Sequence, residues 1–137
     1  MNPAPMPAIT ALYAGLVALL LLVFAARVSL TRRRLGVGIG DGGHDALARA
    51  IRVHGNAVEW ALPVLLLMLV AELNRAAPLL LHACGIALVV ARLVHGAGLA
   101  RRSGTSTGRF AGTVVTWVVL IVLAVWDVWA FVRTLAV

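Results

Sequence analysis

Four long apolar runs, at 9–30, 46–72, 78–99 and about 106–134, take up most of a 137-residue chain and leave only short connections between them. A bilayer core needs ~20 apolar residues per helical crossing, so each run is long enough to span it. Composition agrees: 62% of the residues are hydrophobic and 12% charged, whereas a soluble domain is roughly 45–50% apolar and about 25% charged. Too little polar surface is left for a water-facing shell. No strand-like alternation interrupts the runs, and a helix bundle satisfies every backbone N–H and C=O internally in lipid. The sequence predicts an all-α integral membrane protein, a four-transmembrane-helix bundle forming a single domain over 1–137. The first run is too long for the apolar core of a signal peptide, and no basic residue precedes it, so it reads as a retained span.

All 12 basic residues are arginine, against five acids, for a net charge of +7 and a pI near 11.7. In a soluble domain such a pI would suggest nucleic-acid binding. Here the arginines are scattered over helix ends and inside apolar runs, so anionic headgroups account for the excess and no nucleic-acid partner is expected. The first connection carries Arg32, Arg33 and Arg34, with Arg49 at its far end, and the third carries Arg101, Arg102 and Arg109; the opposite side offers Arg75 and Arg133. The positive-inside rule then places connections one and three in the cytoplasm and both termini outside. Trp126 and Trp129 fall near the outer headgroup level, where an aromatic belt is expected.

Antiparallel crossing brings Arg52, His54, Asn56 and Glu59 of the second run, and Arg92 and His95 of the third, into the cytoplasmic half. An ionisable residue in a span costs ~2.5–3.5 kcal/mol near the bilayer centre, so six polar groups in one half are not incidental. At 100° per residue Arg52, Asn56, Glu59 and Pro63 fall at about 0°, 40°, −20° and 20°, one narrow stripe, with His54 about 200° away. Arg92 and His95, at i and i+3, share a face. Two readings stay open. In one, Glu59 and Arg92 form a structural ion pair while Asn56 and the histidines bridge helices. In the other, the groups line a polar cavity reached from the cytoplasm, with Arg for carboxylates and Glu for an amine, suited to a small zwitterion bearing several carboxylates.

Three smaller features have plain readings. Gly38-Ile39-Gly40-Asp41-Gly42-Gly43 matches G-x-G-x-x-G, but it follows a membrane span rather than a strand, so it reads as a flexible hinge. Gly104, Gly108 and Gly112 recur every four residues and permit close helix contact, within the bundle or between subunits. Cys84 is the sole cysteine, which excludes an internal disulfide, and it reads as packing.

Arg52-Val53-His54-Gly55-Asn56-Ala57-Val58-Glu59 with Pro63 resembles the second-helix signature of the MAPEG superfamily, the membrane-associated proteins in eicosanoid and glutathione metabolism. Ala91-Arg92-Leu93-Val94-His95 looks like that family's third-helix motif, and Arg101-Arg102-Ser103-Gly104 with Gly108 resembles the start of its fourth helix. The likeness is strongest to small bacterial inner-membrane members. It implies a homotrimer with glutathione, as co-substrate, held between subunits near the cytoplasmic face, and no metal. Carried over position by position, Arg52, Asn56, Glu59 and His95 would contact glutathione, and Arg101 would stabilise its thiolate as the catalytic group. Many catalytic members have Tyr where this chain has Leu99, and the stretch from His95 to Arg101 is short for the family, which leaves Arg102 and Arg109 as alternatives to Arg101.

The resemblance implies a glutathione-dependent transferase or peroxidase acting on lipophilic electrophiles within the bilayer. The alternative is a non-catalytic membrane protein that binds glutathione or another small anion, or a scaffold. A small multidrug exporter of this size would need an acid in the first span, and 9–30 has none.

Overall fold

The computed structural model describes residues 6–101 and 106–135, with Arg101 described by its backbone alone. Four helices cover the four apolar runs: α1 (Ala8–Leu35), α2 (Asp45–Leu73), α3 (Pro78–Arg101) and α4 (Thr107–Thr134). All four are long and apolar enough to cross a membrane. At 1.5 Å per residue the 28 residues of α1 reach ~42 Å, more than the ~30 Å hydrocarbon core, so helix ends extend into the headgroup layers. The helices α2 and α3 form the centre of the bundle and touch every other helix, while α1 and α4 flank them without touching each other. Buried Ala61, Val64, Met68, Leu81, Leu88 and Leu123 make up much of the core between them. The flanking helices leave Leu19, Leu22, Val23, Ile121, Val125 and Val128 more than half exposed, a surface suited to lipid tails.

Small residues set the closest approaches. A Cβ on Gly112 would meet the Ala91 carbonyl oxygen at 2.6 Å and His95 Cβ at 2.7 Å, so α3 and α4 pack nearly backbone to backbone. Gly108 lies against Gly98 in the same contact, which places this glycine pattern within the bundle; Gly104 lies outside the described residues. Gly85 on α3 lies against the Tyr13 ring of α1 with no room for a Cβ.

The helix ends are capped by specific groups. At the start of α1, Ala8 and Ala11 donate to the carbonyls of Met6 and Pro7, and the Ile9 and Thr10 N–H groups donate to the Glu72 carboxylate at 2.9 and 2.6 Å. Pro7 at the N-cap has no N–H and Ala11 makes the first helical bond, so the three remaining N–H groups, of Ala8, Ile9 and Thr10, all have acceptors, two of them on the neighbouring helix. Beside them the Tyr13 hydroxyl lies 3.0 Å from His82 Nδ1. At the other end α1 runs on through Leu35, so Arg32, Arg33 and Arg34 occupy its last turn rather than the connection. Arginine is a good helix former, and its charge complements the helix C-terminus. The glycine segment that follows is not a slack hinge. Gly36, Gly40, Gly42 and Gly43 have positive φ, Arg32 Nη1 donates to the carbonyls of Gly38 and Gly40, and the Asp41 side chain accepts from Gly43 N. Glycine is needed where the chain turns through left-handed conformations, and Arg32 then fixes the turn.

Cys84 is buried and free, as packing requires. At the far end of α4, Trp126 and Trp129 lie 4.9 Å apart, and the Arg133 guanidinium sits 4.7 Å over the Trp129 ring.

Candidate functional site

Arg49, Arg52 and Asn56 lie within the first half of α2, His95 and Leu99 near the C-terminus of α3, and Arg109 in the first turn of α4. Because α2 and α4 start at the end of the bundle where α3 finishes, these residues meet. Together with Ala48 they line a cleft of about 240 Å³. Three guanidinium groups, a carboxamide and an imidazole make it rich in hydrogen-bond donors, which suits an acidic ligand. A larger open groove of about 1100 Å³ runs between α3 and α4, past Val94, Ala97, Phe110 and Thr113, and shares His95 and Arg109 with the cleft. His95, only 6% exposed, lines both spaces.

The helical stripe predicted for Arg52 and Glu59 brings them together two turns apart. Arg52 Nη1 lies 3.5 Å from Glu59 Oε1, with 62% and 54% of the two side chains exposed. Pro63 lacks the N–H that would bond the Glu59 carbonyl, so that carbonyl has no i→i+4 helical donor, although α2 continues through it. His54 lies half-buried elsewhere on the helix.

The expected Glu59–Arg92 pair does not form. Glu59 faces Arg52, whereas Arg92 is turned into the bundle and is 2% exposed. Its Nη1 donates to Asn56 Oδ1 at 2.8 Å, and its Nη2 donates to the Gly112 carbonyl at 2.8 Å and to Thr116 Oγ1 at 2.6 Å. The Thr116 hydroxyl itself donates a hydrogen bond to the same carbonyl at 2.8 Å. Gly112 and Thr116, one turn apart on α4, offer Arg92 two oxygens at a close helix contact, and neutral oxygens replace the expected carboxylate.

Arg49, Arg109 and Thr116 complete the picture that the sequence left partial. Arg49 is three residues before Arg52, about 60° around α2, and extending the same helical stripe would have found it. Thr116 depends on the register between α3 and α4, which no periodicity reveals. Arg109 stood only as an alternative for the thiolate-facing group and lines both spaces. Arg102 and the side chain of Arg101 lie outside the described residues.

The MAPEG family model matches residues 10–129. Inner membrane protein YecN of Escherichia coli K12 is 40% identical over 121 residues, covering 88% of this chain and 91% of that protein. The protein of the same name from Escherichia coli O6:H1 matches to the same extent. With four membrane-spanning helices and these inner-membrane relatives, the chain is an integral protein of the inner membrane. A family-model match over nearly the whole bundle, together with a relative 40% identical over 88% of the chain, shows that the chain belongs to the MAPEG family.

Proposed function

We propose that the chain is the protomer of a homotrimeric membrane enzyme that uses glutathione, as a transferase or peroxidase, on lipophilic electrophiles dissolved in the bilayer. The observation that carries this reading is the convergence of Arg49, Arg52, Asn56, His95 and Arg109 on one cleft. Glutathione presents two carboxylates and an ammonium group, which match arginines and the Glu59 carboxylate. In this reading Arg52, Asn56, Glu59 and His95 hold the tripeptide. Arg109, or one of Arg101 and Arg102, faces the sulfur. A free thiol of pKa ≈ 8.5 is mostly protonated at neutral pH, and a nearby guanidinium favours the nucleophilic thiolate. The groove past Phe110 gives a lipid-soluble electrophile an approach to His95 and Arg109, which line both spaces.

Trimer formation is supported by the Arg52–Glu59 pair, which lies more than half exposed on a membrane helix. A charged pair facing lipid is costly, and a neighbouring subunit with glutathione between the two would cover it. The arginine-rich end faces the cytoplasm in this assignment.

Leu99 favours a second reading. It is 7% exposed and lines the cleft, so an aliphatic side chain stands where many catalytic members have a phenol. That wall offers no hydroxyl, which suits a protein that holds glutathione or another small anion without transferring it. Conjugation of an aryl halide in detergent solution separates the readings. Turnover that rises with glutathione supports the enzyme. Glutathione binding without turnover, and with no thiolate absorbance at neutral pH, supports the binding protein.

A further inference from the structure

A buried cation stands directly behind the cleft wall, and all its hydrogen bonds run to neutral oxygens. Arg92 reaches Asn56 on α2 and both Gly112 and Thr116 on α4, and no described acid lies within ion-pair distance of it. A carboxamide has one accepting oxygen and one donating NH₂ group. Arg92 turns the oxygen end of the Asn56 amide toward its guanidinium, and Asn56 lines the cleft, so the NH₂ group is the end of the amide set to meet a ligand. Turning the amide over would set its NH₂ against the guanidinium, two donors with no acceptor between them. The charge on Arg92 also polarises the amide, which strengthens its N–H groups as donors.

We propose that Arg92 is a positioning residue that locks Asn56 as a hydrogen-bond donor toward the cleft, so that this wall accepts a carboxylate or thiolate and rejects a ligand group that offers N–H or O–H there. The glutathione arm of the test rests on the functional reading above; the locking of the amide does not.

The first arm needs no ligand. Asn2, Asn56 and Asn74 are the only carboxamides in the chain, which has no glutamine, so a sample labelled with ¹⁵N-asparagine gives at most three side-chain NH₂ pairs. The Asn56 pair is identified by its loss in Asn56→Asp. Arg92→Leu is expected to move that pair toward the positions of exposed asparagines. A pair unmoved by Arg92→Leu overturns the proposal.

The second arm uses glutathione and holds even if Arg92→Leu fails to fold. Asn56→Asp keeps an oxygen for Arg92 and replaces the NH₂ group with a second acceptor. Its thermal midpoint should match or exceed that of the wild type while glutathione binding weakens at least about tenfold, the effect of losing a hydrogen bond to a charged group. Undiminished binding by Asn56→Asp overturns the proposal. A wild type that does not bind glutathione, with an Asn56 resonance that answers to Arg92, overturns the functional reading and upholds the lock.

Discussion

Arg52 and Glu59 face each other 3.5 Å apart across two turns of α2, on the outer surface of the bundle rather than inside it. The consequence for stability is specific. Glu59→Gln and Arg52→Gln should show coupling of roughly 0.2–1 kcal/mol in a double-mutant cycle, the range for an exposed ion pair. Glu59→Gln and Arg92→Leu share no bond and should add within ~0.5 kcal/mol. Thermal unfolding in detergent measures both cycles, and the reverse pattern would restore the Glu59–Arg92 pairing.

Glu72 should matter more than any other acid for the placement of α1. Its carboxylate accepts from Ile9 and Thr10, so Glu72→Ala leaves two N–H groups of a membrane helix without acceptors. The expected loss is about 1.5–3 kcal/mol, the range for charge-assisted hydrogen bonds. Hydrogen exchange at the start of α1 should rise in the same variant. Unchanged protection there would show that water or lipid caps the helix equally well.

Glycine substitutions sort by location. Gly85→Ala drives a methyl into the Tyr13 ring and Gly112→Ala drives one into α3, each costing ~1–3 kcal/mol as overpacking. Gly15, on the exposed side of α1, has nothing within 4 Å of an added Cβ, and Gly15→Ala should be neutral or stabilising by up to ~1 kcal/mol. Equal effects at all three positions would contradict the α1–α3 and α3–α4 contacts.

Much of this architecture was legible in the apolar runs, because a bilayer leaves the chain few options and each run needs only its length to declare itself. The stripe of Arg52, Asn56 and Glu59 was legible too, since helical geometry alone puts them on one face. What the stripe does not reveal is the direction of a neighbour. Arg92 and Glu59 occupy the same half of the bundle, yet Arg92 points between α2 and α4 while Glu59 points outward. The reach of Glu72 to α1 and of Tyr13 to His82 likewise depends on helix register, which is set by packing at positions such as Gly85 and Gly112 rather than by local pattern.

The positive-inside assignment puts both termini outside. An alkaline-phosphatase fusion to the C-terminus should be active in intact cells, and a fluorescent-protein fusion at the same point should stay dark. The opposite pair of results would invert the bundle and move the cleft to the other face.

The central claim is that the arginine-lined cleft holds glutathione, and isothermal titration of glutathione into the detergent-purified protein and its Arg52→Ala variant tests it most directly. The account predicts saturable binding by the wild type and a loss of ~1.5–3 kcal/mol in the variant, the range for a charge-assisted bond to a carboxylate. No binding by the wild type at millimolar glutathione, or equal binding by the variant, would contradict it.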